Sequence, residues 1–352
     1  MQRFIASRGF SFDPWQVAAY VTAVRTKPFV ILAGVSGTGK SALPRLVAQA
    51  TGGVIHAVPV RPDWSDSSDL LGYQGLDGTF RPGSLLRVAA DAQLRPTEQF
   101  FFLLDEMNIA RPEYYLAEVL SRIEETGALL PGGTGNPLRP DASGEVRGGL
   151  GWDAVVLPPN LTLVGSVNMD ETTFGFSRKI LDRAFVIEFS DVDLSRIGDA
   201  VEIAPTPAMT WNAGQWARDA STLAEHPARH EALVGQVIST LVEINEMLAE
   251  SQLHFGYRVR DEIALFCLAA QESEASFQTA DGGQIDALDL AISMKVLPRI
   301  QGSGSAVGRL LEMLSAWASP VGAGSRGFPV SAERIELMRD RLTKTGFTNY
   351  WL

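Results

Sequence analysis

The sequence predicts an α/β domain with a parallel sheet over residues 1–200 and an all-α domain over residues 201–352. Two observations indicate the sheet: short apolar runs alternate with helical patterns, and the runs lack polar interruptions, as strands do when both faces are buried. A third observation indicates the second domain, because segments after about residue 190 space their apolar residues at helical intervals. The turn-rich "IAPTPAMT" lies near the boundary.

The first domain begins with a helix, which apolar runs of strand length follow. Residues 13–27 open with an Asp-Pro pair, a helix-start signal, and continue with apolar residues at helical spacing. The predicted strands lie in "PFVILAG", in "VIHAVPV" at 54–60, in "EQFFFLLDE" at 98–106 and in "NLTLVGSVN" at 160–168. Helical segments separate these runs, so we expect the strands to pair in parallel.

Two Gly-rich segments interrupt this alternation. Residues 72–84, "GYQGLDGTFRPGS", have the length and turn residues of a short hairpin. Residues 127–160 are dense in Gly, Pro, Asp and Asn, and apolar pairs at both ends could pair as strands. We therefore expect this second segment to be a hairpin or a long surface loop rather than a linker.

Composition restricts the class of protein. The net charge of −11 repels phosphate backbones and argues against a stand-alone nucleic-acid binder, although a local basic channel stays compatible with it. The single cysteine, Cys267, lies in the apolar run "IALFCLAA" and is expected to be a small core residue. The N-terminus lacks an apolar leader, and no continuous apolar run reaches the ~18 residues of a membrane span. We expect a cytoplasmic protein with no membrane partner.

The segment "GVSGTGKS" at 34–41 fits the pattern G-x-x-x-x-G-K-[ST] without mismatch, between a predicted strand and a predicted helix. Glycines let the backbone wrap round phosphate, and the N–H groups with the helix N-terminus attract its charge. The segment therefore predicts a phosphate-binding loop for a nucleoside triphosphate. Its binding residues would be Gly34, Gly37, Thr38, Gly39, Lys40 and Ser41, of which Lys40 reaches the β and γ phosphates and Ser41 holds Mg²⁺.

Two carboxylates end the predicted strand "FFFLLDE". A strand end places Asp105 beside the phosphate loop, where it can orient Mg²⁺, and Glu106 can polarise the attacking water. An acidic pair at a strand terminus is common by itself, but here it follows the loop by about sixty residues, the order expected in this class of enzyme. The pair predicts hydrolysis of the nucleotide and not binding alone.

A polar side chain, Asn168, ends the apolar run of the fourth strand. In the sheet of a P-loop ATPase this strand would lie between the phosphate-loop strand and the strand that ends at Asp105. The Asn168 amide could then hold the attacking water or contact the γ-phosphate. Asn168 is therefore predicted to be a polar sensor of the nucleotide.

Together these motifs resemble the AAA+ ATPases over nearly the whole chain. The blocks "VRPDWSDSSDLLGY", "LLDEMNIARPEYYLAEVLSRIE", "FGYRVRDEI" and "KVLPRIQG" are similar to the McrB-like branch, the motor subunits of modification-dependent restriction systems. The resemblance implies an AAA+ P-loop NTPase core with a five-stranded parallel sheet, a helix-2 insert, a hairpin before the first sensor, and an all-α lid. One signature departs: the family's Met-Asn-x-x-Asp falls on Val167, Asn168 and Glu171.

The resemblance also implies roles for arginines. The segment "SRKILDRAF" resembles the helix that carries an arginine into the neighbouring subunit's site, with Arg183 the first choice for this arginine finger and Arg178 the second. In "HFGYRVRDEI", Arg258 would be the second sensor, folding over the nucleotide from the lid, with Arg260 the alternative. A surface salt bridge to a neighbouring acidic residue is the competing interpretation of these lid arginines.

The implied function is an oligomeric motor, expected to be a hexameric ring, that hydrolyses ATP or GTP with Mg²⁺. A McrC-like nuclease subunit would be its partner, and DNA would be contacted through a pore or through that partner. A MoxR-like chaperone that remodels client proteins is the first alternative. A nucleotide-gated scaffold without productive turnover is the second, which Glu106 and an arginine finger argue against.

Overall fold

The computed structural model describes residues 1–123, 127–130, 151–169, 175–190, 206–226, 231–319 and 326–351. The strands within these residues are β1 (Phe29–Gly34), β2 (Val54–Pro59), β3 (Gly72–Gln74), β4 (Phe80–Pro82), β5 (Phe100–Asp105), β6 (Leu161–Asn168), β7 (Phe185–Phe189), β8 (Gly302–Ser303) and β9 (Phe347–Thr348). Five of them form one sheet in the order β2-β5-β6-β1-β7, and the pairs β1–β6, β5–β6 and β2–β5 are parallel. The predicted parallel five-stranded sheet is confirmed, with the fourth predicted strand between the first and third.

The α-helices fill the intervals between these strands and most of the C-terminal part. They are α1 (Gln2–Ala6), α2 (Pro14–Thr26), α3 (Ala42–Thr51), α4 (Ser68–Leu71), α5 (Ser84–Leu94), α6 (Pro112–Tyr115), α7 (Ala117–Arg122), α8 (Arg178–Leu181), α9 (Ala213–Trp216), α10 (Glu231–Ala249), α11 (Tyr257–Ala270), α12 (Ala287–Lys295), α13 (Ser305–Ala318) and α14 (Pro329–Thr345). The predicted helix over residues 13–27 is α2; the Asp13 N–H donates to the Gln16 side-chain oxygen at 2.9 Å, as expected of a helix start.

The central strands form the core of the sheet. Every residue of β1 is buried, as are all but the last residues of β5 and β6. The rings of Phe100, Phe101 and Phe102 are fully buried in consecutive positions, so they fill both sides of β5. Burial of each such ring contributes about 1.5–3 kcal/mol. This core fixes the carboxyl ends of β1, β5 and β6 at one edge of the sheet.

Both inserted segments contain the predicted antiparallel pairing. In the first, β3 and β4 pair with Gly72 opposite Pro82 and Gln74 opposite Phe80. In the second, Ala128 and Val156 form an antiparallel bridge. Residues 131–150 of that insert lie outside the described residues, as does Glu171 of the departing signature.

Internal contacts divide the chain into two compact units. The nucleotide unit comprises Met1–Ser11, Pro28–Arg183 and Phe189–Ala217, and the helical unit comprises Phe12–Lys27, Ala184–Glu188 and Arg218–Leu352. The helical unit therefore includes residues that precede the predicted boundary at residue 200, because α2 packs against α11. The domain boundary at residue 200 stays a prediction.

The helical unit is formed by α2 and α10–α14, with a two-residue ladder between β8 and β9. Tyr350 and Trp351 follow β9 and are buried at 3% and 6% exposure, so the C-terminal segment packs within this unit. Among the described helices, α10 alone is long and apolar enough to cross a membrane by length and composition, and 28% of Ala232–Ala249 is buried.

Candidate functional site

The phosphate loop joins β1 to α3 and depends on glycine at two positions. Gly34 has φ +139°, and a Cβ there would lie 2.3 Å from the Phe189 carbonyl oxygen, so a side chain cannot fit. Gly37 has φ +86°, a left-handed conformation, and a Cβ there would meet no atom within 4 Å, so the loop is open on that side. The remaining loop glycine, Gly39, accepts hydrogen bonds from the Ala42 and Leu43 N–H groups at 2.9 Å, which begins α3.

Lys40 lies within this loop at 4% exposure. Its ammonium donates to the Val35 carbonyl, and the Thr38 hydroxyl donates to the same oxygen at 2.9 Å. Burial lowers the pKa of Lys40, and the carboxylates of Asp105 and Glu106 offset this only in part. A cation held by one carbonyl in a poorly solvated loop can exchange that carbonyl for phosphate oxygens.

Asp105 ends β5 and receives two hydroxyl groups on one oxygen. Ser41 Oγ and Ser166 Oγ each donate to Asp105 Oδ1 at 2.5 Å. The first of these bonds brings together the two predicted magnesium ligands. Mg²⁺ takes few protein oxygens and completes its shell with water and phosphate, so a hydroxyl and a carboxylate this close fit such a site.

Glu106 follows Asp105 in a left-handed backbone conformation, with φ +54°. This conformation is costly for a residue with a side chain, by about 1–3 kcal/mol, and such residues concentrate at functional sites. The Glu106 N–H donates to Ser166 Oγ at 3.0 Å, and Glu106 Oε1 accepts from Asn168 Nδ2 at 2.9 Å. Two bonds from β6 therefore hold the exposed Glu106 in place.

Sheet register brings Asn168 to the phosphate loop. Gly34, the first loop residue, lies opposite Asn168, and Leu32 lies opposite Ser166. The Asn168 carbonyl accepts from Asn108 Nδ2 at 2.9 Å, and Asn108 is 1% exposed. We call Ser41, Asp105, Glu106, Ser166 and Asn168 the edge cluster, since they lie at the carboxyl edge of the sheet.

Ser166 and Asn108 are members of this network that sequence reasoning missed. Ser166 is the one serine of a largely apolar strand, and Asn108 follows the acidic pair in a turn. One signal could have found Ser166: residues two apart in a strand share a face, so it lies on the same face as Asn168. No comparable spacing singles out Asn108.

The two candidate arginine fingers lie on or next to α8 and differ in environment. Arg178 is exposed at the first position of this helix. Arg183 is half-buried, and it donates to the Leu120 carbonyl at 3.2 Å and the Lys179 carbonyl at 3.0 Å. Arg183 would have to exchange these two bonds to reach another subunit, and Arg178 is the more exposed of the two.

The two lid candidates lie in the first turns of α11, within the helical unit. Arg258 is exposed. Arg260 forms an ion pair with Asp261 at 2.6 Å, and its guanidinium lies 4.9 Å from the centre of the Tyr257 ring. A salt bridge to a neighbouring acidic residue, the competing interpretation, describes Arg260 in this structure. The sensor role stays a prediction for Arg258, with Arg260 the alternative.

The phosphate loop, together with the acidic end of β5 and the polar end of β6, has the arrangement of a P-loop NTPase. Residues 29–183 match the family of AAA domains of the dynein-related subfamily. Residues 29–183 accordingly form an AAA domain, and the predicted enzyme class, a P-loop NTPase, is confirmed. Residues 208–347 match a domain of unknown function, DUF8727.

A solved structure of a presumed ATPase from Cytophaga hutchinsonii is 14% identical, with a TM-score of 0.47 and 80% of each chain covered. No curated protein matches the sequence.

Proposed function

We propose that the protein hydrolyses ATP or GTP with Mg²⁺ as an oligomeric AAA+ motor. The convergence of the edge cluster on the phosphate loop is the observation that supports this most directly. It brings the two candidate Mg²⁺ ligands, Ser41 and Asp105, next to the candidate base, Glu106. A nucleotide-gated scaffold would have no need for a carboxylate held as Glu106 is.

Each residue has a role in the proposed reaction. Loop N–H groups and Lys40 bind the phosphates. Ser41 and Asp105 would hold Mg²⁺, which when bound neutralises charge on the phosphate oxygens. Glu106 accepts a proton from the attacking water, and Asn168 orients that water or contacts the γ-phosphate.

The proposed ring supplies an arginine from the neighbouring subunit. An arginine finger stabilises transition-state charge and is worth roughly 10³–10⁵ in turnover. Arg183 stays the candidate indicated by the resemblance, while exposure favours Arg178. Arg258 is proposed to contact the nucleotide from the lid of its own subunit.

The McrB-like sequence blocks support a finer proposal, that the motor drives a McrC-like nuclease subunit and contacts DNA through a pore or through that partner. A MoxR-like chaperone is equally compatible with the AAA match, and one observation favours it. The first inserted hairpin presents Leu76 fully exposed at its tip, while Arg81 pairs with Asp77 at 3.7 Å. An apolar tip with a neutralised arginine suits a polypeptide better than phosphate.

The first experiment measures hydrolysis of ATP and of GTP by the purified protein, with Mg²⁺ and with EDTA, while light scattering follows its mass. Nucleotide-dependent assembly with Mg²⁺-dependent turnover is the expected result, and the faster of the two reactions identifies the substrate as ATP or GTP. A protein that binds nucleotide, stays monomeric and never turns over would contradict the motor.

A second experiment separates the two finer proposals. Turnover is measured with double-stranded DNA, with a McrC-like subunit from the same genome, and with a denatured protein such as reduced lactalbumin. Stimulation by the nuclease subunit or DNA supports the restriction motor. Stimulation by the denatured protein alone supports the chaperone and contradicts the restriction motor.

A further inference from the structure

A fully buried lysine, Lys295, lies at the end of α12 in the helical unit. Its ammonium donates to the Ala184 carbonyl at 2.8 Å and lies 5.1 Å from the centre of the Phe185 ring. Ala184 directly follows Arg183, and Phe185 begins β7. Lys295 therefore binds the chain at the point where the arginine-bearing segment ends.

Lys295 is paired with a carboxylate on α11. Glu262 Oε2 lies 2.6 Å from the Lys295 ammonium, and Glu262 Oε1 accepts from Lys27 at 2.5 Å. Burial acts to raise the pKa of Glu262, but Lys295 and Lys27 outweigh it, and that pKa lies below its usual value. We call Lys27, Glu262 and Lys295 the buried ion cluster.

This cluster has more positive than negative charge. One carboxylate serves two lysines, and Arg218, whose burial lowers its own pKa, lies close enough to interact with the same Glu262. Removing such charges from water is costly, and a methionine would fill the volume of Lys295 without that cost. The additional bond to the Ala184 carbonyl is what the lysine provides and a methionine cannot.

The helical unit holds β7 at both ends. At its start, the Phe185 ring also contacts the Phe266 ring of α11, with centres 5.2 Å apart. Near its end, Arg334 of α14 forms a 2.5 Å ion pair with Glu188, and both side chains are largely buried. The strand that follows the candidate arginines is thus fixed by residues of three helices.

We propose that Lys295 is a positioning residue, which acts through the Ala184 carbonyl to set where the arginine-bearing segment of residues 178–183 is held. The inference rests on the proposed function, because it needs Arg178 or Arg183 to act in hydrolysis. Lys295 touches no nucleotide in this proposal.

The test compares Lys295→Met with Lys27→Met in the full-length protein. Both variants remove one lysine from the same carboxylate and leave Glu262 the other, but only Lys295 contacts Ala184. We expect Lys295→Met to lower turnover by on the order of 10²-fold with KM changed less than about twofold, because catalytic groups displaced by ~1 Å lose about that much. Lys27→Met should lower the melting temperature similarly and turnover less than about threefold.

A double-mutant cycle gives the readout that a merely structural role would not change. Lys295→Met is combined with Arg178→Ala and with Arg183→Ala. In combination with whichever arginine variant lowers turnover, Lys295→Met should cause little further loss, because both act at one step. Additive losses, or equal effects of Lys295→Met and Lys27→Met, would overturn the inference.

The single variants distinguish failure of the inference from failure of the proposed function. Suppose that the wild-type protein hydrolyses nucleotide and that neither arginine variant lowers turnover. The arginine-finger assignment is then wrong, and the inference is wrong with it. If one of them does and Lys295→Met does not, only the inference is wrong. Should Lys295→Met fail to fold, Lys295→Gln keeps an N–H donor for the Ala184 carbonyl, and we expect turnover between wild type and the arginine variant.

Discussion

The edge cluster and the buried ion cluster use carboxylates in opposite ways. Asp105 and Glu106 accept hydrogen bonds from neutral serine and asparagine groups, and Lys40 is the cation that acts on both of them. Glu262 instead has two lysines against it and almost no exposure to water. The edge cluster therefore carries an excess of negative charge that an incoming cation can neutralise, whereas the buried ion cluster is already saturated.

This difference indicates which carboxylates can take part in hydrolysis. A group bonded only by neutral donors at an open edge keeps its charge available to water and metal. A carboxylate paired with buried ammonium groups stabilises structure, since its charge is already used. The following variants test this division, beginning with the one that should have the largest effect.

Glu106→Gln should abolish the proposed hydrolysis, lowering turnover by roughly 10²–10⁴-fold, because an amide cannot accept the proton of the attacking water. Nucleotide affinity, measured by fluorescence of a labelled nucleotide, should be retained. Glu98→Gln, which changes a half-buried carboxylate paired with Arg95 before the other end of β5, is the matched control. Comparable turnover in Glu106→Gln and wild type would place the base elsewhere.

Glu262→Gln should lower stability more than it lowers turnover per folded molecule. Loss of the carboxylate leaves two buried ammonium groups without an anion, which costs about 3–5 kcal/mol. The free energy of unfolding in urea measures this. Asp105→Asn should lose little unfolding free energy by the same measurement. A larger loss in Asp105→Asn than in Glu262→Gln would contradict the division between the edge cluster and the buried ion cluster.

Ser166→Ala should have a smaller effect on activity, about 10-fold in turnover, because it removes one bond to Asp105 and the acceptor for the Glu106 N–H. Its effect on stability should be about 1 kcal/mol. Ser121→Ala, which removes an exposed helical hydroxyl, is the control. Wild-type turnover in Ser166→Ala would mean that Asn168 holds Glu106 without help.

The smallest expected effect is a pH dependence of stability. The pKa of Glu262 lies below its usual 4.5 in the folded protein. Its stabilisation is therefore complete above pH 4.5 and is lost as the pH falls through the folded value. The difference in unfolding free energy between wild type and Glu262→Gln should narrow below that pH, and a difference that widens on acidification would contradict the assigned ion pairs.

Much of the nucleotide unit could be predicted from local sequence. The loop at 34–41 fits the phosphate-loop pattern without mismatch, and β1, β5 and β6 are continuous apolar runs. The position of β6 between β1 and β5 followed from the fold implied by those motifs. These features are encoded within short windows, which is why sequence reasoning reaches them.

The contacts that hold the site could not be predicted in the same way. Ser166 meets Asp105 across 61 residues, and Lys295 meets Ala184 across 111. A lone serine in a strand or a lone lysine in a helix has no local pattern that names its partner. The missing information is the three-dimensional arrangement, and the arginine roles stay predictions because they concern contacts with nucleotide or a second subunit.

The backbone conformation of Glu106 implies a conflict between the stability of the fold and its activity. Glycine adopts its left-handed conformation freely, so Glu106→Gly would relieve about 1–3 kcal/mol of strain against about 0.5–1 kcal/mol of added chain freedom. Selection for a longer-lived fold alone would replace this side chain. A glutamate that persists at such a position across descendants would therefore record continued selection for what the carboxylate does.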